Sequence, residues 1–200
     1  MMIVDSQVHI WAANTPERPW LPNSKPHRPE PLGADELLRA MNAAGVDRVV
    51  IVPPRLDAGR NDLALDAARA HPDRFAVMGK IDVKDPQAPA RLAQWRAEKG
   101  MLGIRFNFKR APEMLASGEA DWAWSVAEKA GVPIYVGVSH ENVHVIDTIA
   151  QRYPQLKLIF DHMALAINVK DDVAFRDFDK LLVAAKRPNI AVKVSALPCY

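Results

Sequence analysis

The sequence predicts an α/β fold, a (β/α)8 barrel with seven strands present and the eighth missing, and three observations carry that reading. Short apolar runs alternate with helical periodicities along the whole chain. The runs are apolar on both faces, as parallel strands covered by crossover helices must be. Polar, reactive side chains fall at the ends of several different runs (His9, Arg105, His140 and His162), which is how barrels assemble a site at the C-terminal ends of their strands. A doubly wound nucleotide-binding sheet would need a glycine-rich turn after the first strand. Gln7-Val8-His9-Ile10-Trp11 stands there instead, and the chain has neither GxGxxG nor GxxxxGK[ST].

Taken in order, Met2–His9 reads as a short buried strand. The proline-rich stretch from Pro16 to Pro31, close to Trp11 and Trp20, is too long for a plain turn and reads as an ordered functional loop. A helix over Gly33–Ala44 stops at Gly45, the residue that best tolerates a left-handed cap. The alternation then runs strand Arg48–Val52, helix Asn61–His71, strand Phe75–Ile81, helix Pro89–Glu98 and strand Leu102–Phe108. It continues as helix Asp121–Ala130, strand Pro133–Val138, helix Asn142–Tyr153, strand Lys157–Asp161, helix Val173–Ala185 and strand Ile190–Val194. No repeat or linker divides it, so residues 1–200 are expected to form one barrel domain, truncated at its C-terminal end. Open strand edges in such a barrel favour association, so a homo-oligomer is an expected state.

Composition narrows the function. The 200 residues are 49% hydrophobic and 25% charged, enough apolar matter for a core. Lys and Arg number 26 against 24 Asp and Glu, which excludes the strongly basic footprint of a nucleic-acid binder. Cys199 is the one cysteine and cannot form an internal disulfide; a cytoplasmic protein is expected. No apolar run approaches a membrane span, and Asp5 interrupts any signal-peptide core.

Several residues carry possible chemistry. Asp5, Gln7 and His9 share a strand face by period two. Arg105 and Asn107 share another, and an arginine inside an apolar strand requires an anion, either a buried carboxylate or a substrate clamped with help from Lys109 or Arg110. Asp161 and His162 follow three large apolar residues, where a buried strand meets a site. Tyr135 offers either a hydroxyl to the same pocket or a barrel-wall ring. His140 and His144 are spaced i, i+4 but lack the HExxH glutamate, and read as mostly surface residues.

In this company the sequence resembles the amidohydrolase-related branch of the amidohydrolase superfamily. Ile3-Val4-Asp5-Ser6-Gln7-Val8-His9-Ile10-Trp11 is similar to its first-strand motif Asp-x-His-x-His-x-Trp. Phe160-Asp161-His162-Met163 resembles its sixth-strand Asp-His, and Val192-Lys193-Val194-Ser195-Ala196-Leu197 its seventh-strand Lys-x-Ser-Gly-Leu. Gly103-Ile104-Arg105-Phe106-Asn107-Phe108 with Lys109-Arg110 looks like the pyrone-dicarboxylate lactonase group. The resemblance implies a barrel hydrolase of a small carboxylated lactone or related carbonyl compound, of the kind used in aromatic-compound catabolism. It implies carbonyl polarisation by His9 and His162 with Gln7. Arg105, Asn107, Lys109, Arg110 and Tyr135 would hold the substrate. Two departures point away from a metal: the first motif histidine is Gln7, and the fifth-strand histidine of metal-dependent members is Gly137. The family's base, an aspartate after strand eight, would lie beyond Tyr200, and Asp161 is expected to point away from the pocket. The rival readings are a metal-dependent hydrolase or decarboxylase of the same superfamily and a non-catalytic barrel that binds carboxylated metabolites.

Overall fold

The computed structural model describes residues 1–57, 59–167 and 169–195. Its seven strands follow chain order: β1 Val4–Val8, β2 Arg48–Ile51, β3 Phe75–Gly79, β4 Met101–Asn107, β5 Ile134–Gly137, β6 Leu158–Phe160 and β7 Ile190–Val192. Every pairing described is parallel: β1 with β2 and β2 with β3, then β4 with β5, β5 with β6 and β6 with β7. Among the described residues eight α-helices intervene: α1 Ala34–Ala44, α2 Asp62–Ala70, α3 Ala88–Ala93, α4 Pro112–Ala116, α5 Asp121–Ala130, α6 Val143–Arg152, α7 Asp171–Ala174 and α8 Phe178–Ala184. The predicted alternation is therefore present. Among the described residues no helix is long and apolar enough to cross a membrane.

The chain divides into two compact units, Met1–Ile81 with Arg96–Leu102, and Asp82–Trp95 with Gly103–Tyr200. In the first, Ile51, Val52, Val77 and Met78 are wholly buried, together with Ala68 of α2. Burying side chains of this size stabilises by about 1.5–3 kcal/mol each. Helix α1 ends where Gly45 takes a left-handed φ of 69°, as its sequence position predicted. The proline-rich segment is tied down. Trp11 and Leu32 form an antiparallel bridge, and Arg18 bonds buried Asp57 through Nε at 3.0 Å and Asp62 through its terminal nitrogens at 2.9 Å. The first strand departs from expectation. It is shorter than Met2–His9 and exposed in its first half, because among the described residues β1 pairs with β2 alone.

The second unit packs Phe106, Phe108 and Trp124 as a ring cluster on one side of β4, with Ile134, Val136, Leu158 and Phe160 fully buried along β5 and β6. The single helix expected over Val173–Ala185 is broken into α7 and α8. Phe175, Arg176 and Asp177 form a turn between them, with the Phe175 and Phe178 rings meeting edge to face at 5.7 Å. The apolar pattern runs through this break, so periodicity alone does not see it.

Asn189, just before β7, donates its side-chain amide to three carbonyls, those of Ala150, Tyr153 and Leu156, at 3.0–3.1 Å. These close the C-terminal end of α6, whose last carbonyls have no helical partner. Asn189→Ala is expected to cost ~2 kcal/mol, lowering the melting temperature by roughly 4–8 °C in a thermal scan monitored by circular dichroism. A shift below about 1 °C would assign those carbonyls to water.

Candidate active site

Strand register places the polar residues of the second unit in layers. Arg105 is opposite Tyr135, Tyr135 opposite Ile159, and Ile159 opposite Ala191. Two residues further along, Asn107 is opposite Gly137, and Asp161 and Lys193 follow directly on β6 and β7. Because side chains repeat with period two, these odd-numbered positions share a face.

Asp161 is the centre of this group. Its carboxylate is completely buried, with Oδ2 2.6 Å from Arg105 Nε and Oδ1 2.5 Å from Lys193 Nζ. Burial opposes its charge, but Arg105 and then Lys193 outweigh it and hold the carboxyl below the usual range. Asp161 thus does not turn away from the predicted site residues; it is the carboxylate that Arg105 binds. Lys193 is itself buried, and its ammonium lies 3.8 Å from the centre of the Tyr135 ring, a cation–π contact. Tyr135 thus presents its ring face to Lys193.

Lys109 follows β4 and is fixed by its backbone N–H to the Gly137 carbonyl at 2.9 Å. Burial pushes its ammonium down to about 8; Asp161 opposes the shift, and Arg105 and Lys193 add to it. Arg110, one residue on, is exposed. Asn107 Oδ1 is buried without a hydrogen-bond partner among the described residues and lies 2.9 Å from where a Cβ on residue 137 would sit.

His162 arrives by an unusual backbone. His162, Met163 and Ala164 all take positive φ (49°, 51° and 56°), a conformation costing about 1 kcal/mol or more per non-glycine residue. Hydrogen bonds enforce the turn. Met163 N–H donates to the Lys193 carbonyl at 3.0 Å, and His140 Nε2 donates to the Met163 carbonyl at 3.0 Å. The turn carries the even-numbered His162 round to Ser195, whose Oγ lies 2.9 Å from Nδ1. Burial, reinforced by Lys193, Arg105 and Lys109 against the pull of Asp161, pushes His162 down to about 4, so its ring is neutral at neutral pH. His140 corrects a sequence expectation. It is buried, because a 3-10 turn over His140–Asn142 precedes α6 and breaks the helical i, i+4 relation; His144 is exposed as expected.

In the first unit, His9 Nδ1 is 2.6 Å from the Val52 carbonyl, and Gln7 Nε2 is 3.5 Å from His9 Nε2. Asp5 leaves this pair. Its carboxylate accepts the Gln7 backbone N–H at 2.9 Å, next to an irregularity in the β1–β2 register between Asp5 and Val8. Ala196 and Leu197, the end of the seventh-strand motif, and Cys199 lie outside the described residues.

The structure thus brings Arg105, Lys109, Tyr135 and His162 into one charged network in the second unit, and Gln7 with His9 in the first. It adds Asp161, Lys193 and Ser195 to the former. Position parity was the available signal: single charged residues after Leu158-Ile159-Phe160 and Ile190-Ala191-Val192 fall on the face of Arg105. Among the described residues no group of three or more His, Cys, Asp or Glu is placed to hold a metal ion, and Asn107 occupies the space a side chain at 137 would need.

The chain belongs to the amidohydrolase family, whose model matches residues 4–199. Among curated proteins it is 29% identical over 197 residues to a 4-sulfomuconolactone hydrolase of Hydrogenophaga intermedia, covering 96% of this chain and 61% of that protein. It is 24% identical over 206 residues to an L-fucono-1,5-lactonase of Burkholderia ambifaria, covering 97% and 67%. The crystal structure of a probable 2-pyrone-4,6-dicarboxylic acid hydrolase from Acinetobacter baumannii, with citric acid bound, superposes with a TM-score of 0.80 at 16% identity. That match covers 98% of this chain and 71% of the other. The likeness places the fold among the amidohydrolase (β/α)8 barrels. The chain spans about two thirds of the length of the curated relatives it matches.

The buried ion pairs make Asp161 a stability residue. Asp161→Asn leaves two cations without their counter-charge, and is expected to cost about 3–5 kcal/mol in urea unfolding. Its carboxyl is depressed in the fold, so the stabilisation is present above the ordinary carboxylate range and is lost as pH falls through the depressed value. The difference between wild type and Asp161→Asn should therefore shrink towards low pH; a pH-independent gap would assign the cost to packing.

Proposed function

We propose that the chain carries the catalytic core of a metal-free hydrolase that opens a small carboxylated lactone. One observation carries this reading: Arg105 and Lys193 meet the buried carboxylate of Asp161, and half-buried Lys109 is close enough to feel all three charges, so cations gather at the ends of β4 and β7. Such a gathering suits recognition of an anionic group, and a substrate carboxylate fits that chemistry. The relatives agree in kind, since both curated names denote enzymes of lactones and one denotes a sulfonated lactone.

In this reading Arg105 and Lys109 orient the substrate carboxylate, with exposed Arg110 at the entrance and Asn107 beside the ring. His162 polarises the lactone carbonyl. With Ser195 donating to Nδ1, its neutral ring presents an N–H at Nε2 to the developing oxyanion. Water adds to the carbonyl carbon, the ring C–O bond breaks, and a hydroxy acid leaves. The chemistry involves neither nucleic acid nor a membrane surface, and a reducing cytoplasm suits its one cysteine.

Lys109→Met is expected to raise KM for carboxylated lactones roughly ten- to a hundredfold, the loss of one charge-assisted bond, and to leave uncharged lactones unaffected. In wild type the same KM should rise as pH passes about 8, where Lys109 loses its proton. Steady-state kinetics on paired charged and neutral lactones decide: equal KM shifts for both would sink the anion-receptor reading. Stoichiometric zinc or manganese in active protein would replace it with the metal-dependent one.

A further inference from the structure

We infer that His140 is a positioning residue of the reaction: through the Met163 carbonyl it holds the left-handed turn that sets the His162 ring against Ser195. The inference rests on the hydrolytic reading above, in which His162 polarises the lactone carbonyl, and every residue in it belongs to the second unit.

The need for such a residue follows from strand parity. Arg105, Asp161 and Lys193 stand at odd positions on one face, and an extended chain would aim His162, directly after Asp161, at the opposite one. The positive φ values at His162, Met163 and Ala164 undo that alternation. They bring the imidazole Nδ1 to 2.9 Å from the hydroxyl of Ser195, two residues beyond Lys193. None of the three is a glycine, so the conformation persists only while its surroundings impose it. Whatever imposes the turn therefore also decides where His162 acts.

Among the described residues, two hydrogen bonds from other elements end on the middle residue of the turn, Met163. Its N–H donates to the Lys193 carbonyl at 3.0 Å, a main-chain bond that no side-chain substitution removes. Its carbonyl accepts from His140 Nε2, also at 3.0 Å, so His140 is the side-chain hold on Met163. A carbonyl cannot donate, so the hydrogen of the neutral His140 ring sits on Nε2. Burial keeps that ring neutral by pushing it below its ordinary value. The ring is itself braced. It opens the 3-10 turn after β5 and meets the Phe178 ring of α8 edge to face at 5.9 Å. Met163 and Ala164 are buried, so water is a poor substitute for the imidazole at this carbonyl. Releasing the turn would turn His162 away from Ser195 while Arg105 and Lys109, on β4 and the loop after it, still bind the substrate carboxylate.

The test reads the ring and the rate separately, on the intact protein. In 15N-histidine-labelled protein at neutral pH, His140 should carry its hydrogen on Nε2 with Nδ1 unprotonated; a hydrogen on Nδ1 would overturn the inference. His140→Phe keeps a ring against Phe178 but has no donor, and should shift the His162 Nδ1 resonance as the bond to Ser195 is lost. Its kcat, measured well below the melting temperature, should fall roughly ten- to a hundredfold, with KM for a carboxylated lactone within about threefold of wild type. His140→Gln offers a side-chain N–H at a similar reach, and should restore the His162 resonance and roughly a third or more of kcat. A merely structural histidine would lower the melting temperature of His140→Phe and leave resonance and kcat in place. That result, or equal losses in His140→Gln and His140→Phe, would remove His140 as a positioning residue while leaving the hydrolase reading intact. If His140→Phe does not fold, His140→Asn, whose amide stops short of the carbonyl, takes its place with the same expectations. Wild type inert towards every lactone would instead sink the hydrolase reading, and the His162 resonance would still decide whether His140 holds the ring.

Discussion

A carboxylate stripped of water is tolerable only while its counter-ions stay in place, and Asp161 makes that condition structural. Its two oxygens are met by Arg105 from β4 and Lys193 from β7, so three strands of the second unit are tied through one buried charge. Lys193 in turn rests on the Tyr135 ring and lends its backbone to the left-handed turn that aims His162. The same interaction therefore fixes the electrostatics and the geometry. Loosening it would free the turn, since residues at positive φ persist only while their surroundings over-determine them.

What the sequence disclosed follows from what is local. Alternating strands and helices are written in short-range periodicity, and the glycine cap at Gly45 announces itself by residue type. The break between α7 and α8 does not, because Val173, Phe178 and Leu181 keep a helical spacing across it. The turn at His162 is less legible still. Nothing in His-Met-Ala asks for positive φ; the demand comes from Lys193 and His140, some 30 and 20 residues away in the chain.

Charge at the site was half legible. An arginine inside Gly103-Ile104-Arg105-Phe106 signals an anion, but sequence alone left substrate and protein carboxylate as equal claimants. The structure shows the protein's own carboxylate taking Nε, so the buried ion pair holds at that atom. Histidine chemistry was less accessible. Each ring is constrained by a partner far away in sequence: the Val52 carbonyl, 43 residues distant, puts the hydrogen of His9 on Nδ1, and the Ser195 hydroxyl, 33 residues distant, meets His162 Nδ1.

The meeting of Asn107 and Gly137 bears on how this site could change over generations. A histidine at 137 would have to displace the Asn107 amide, and shortening Asn107 alone would open a void over a buried strand. Either step taken singly lowers fitness by lowering stability, so the two positions are coupled in their evolution. A side chain at 137 thus needs a matching change at 107, and a path that alters only one of the two is closed off by packing.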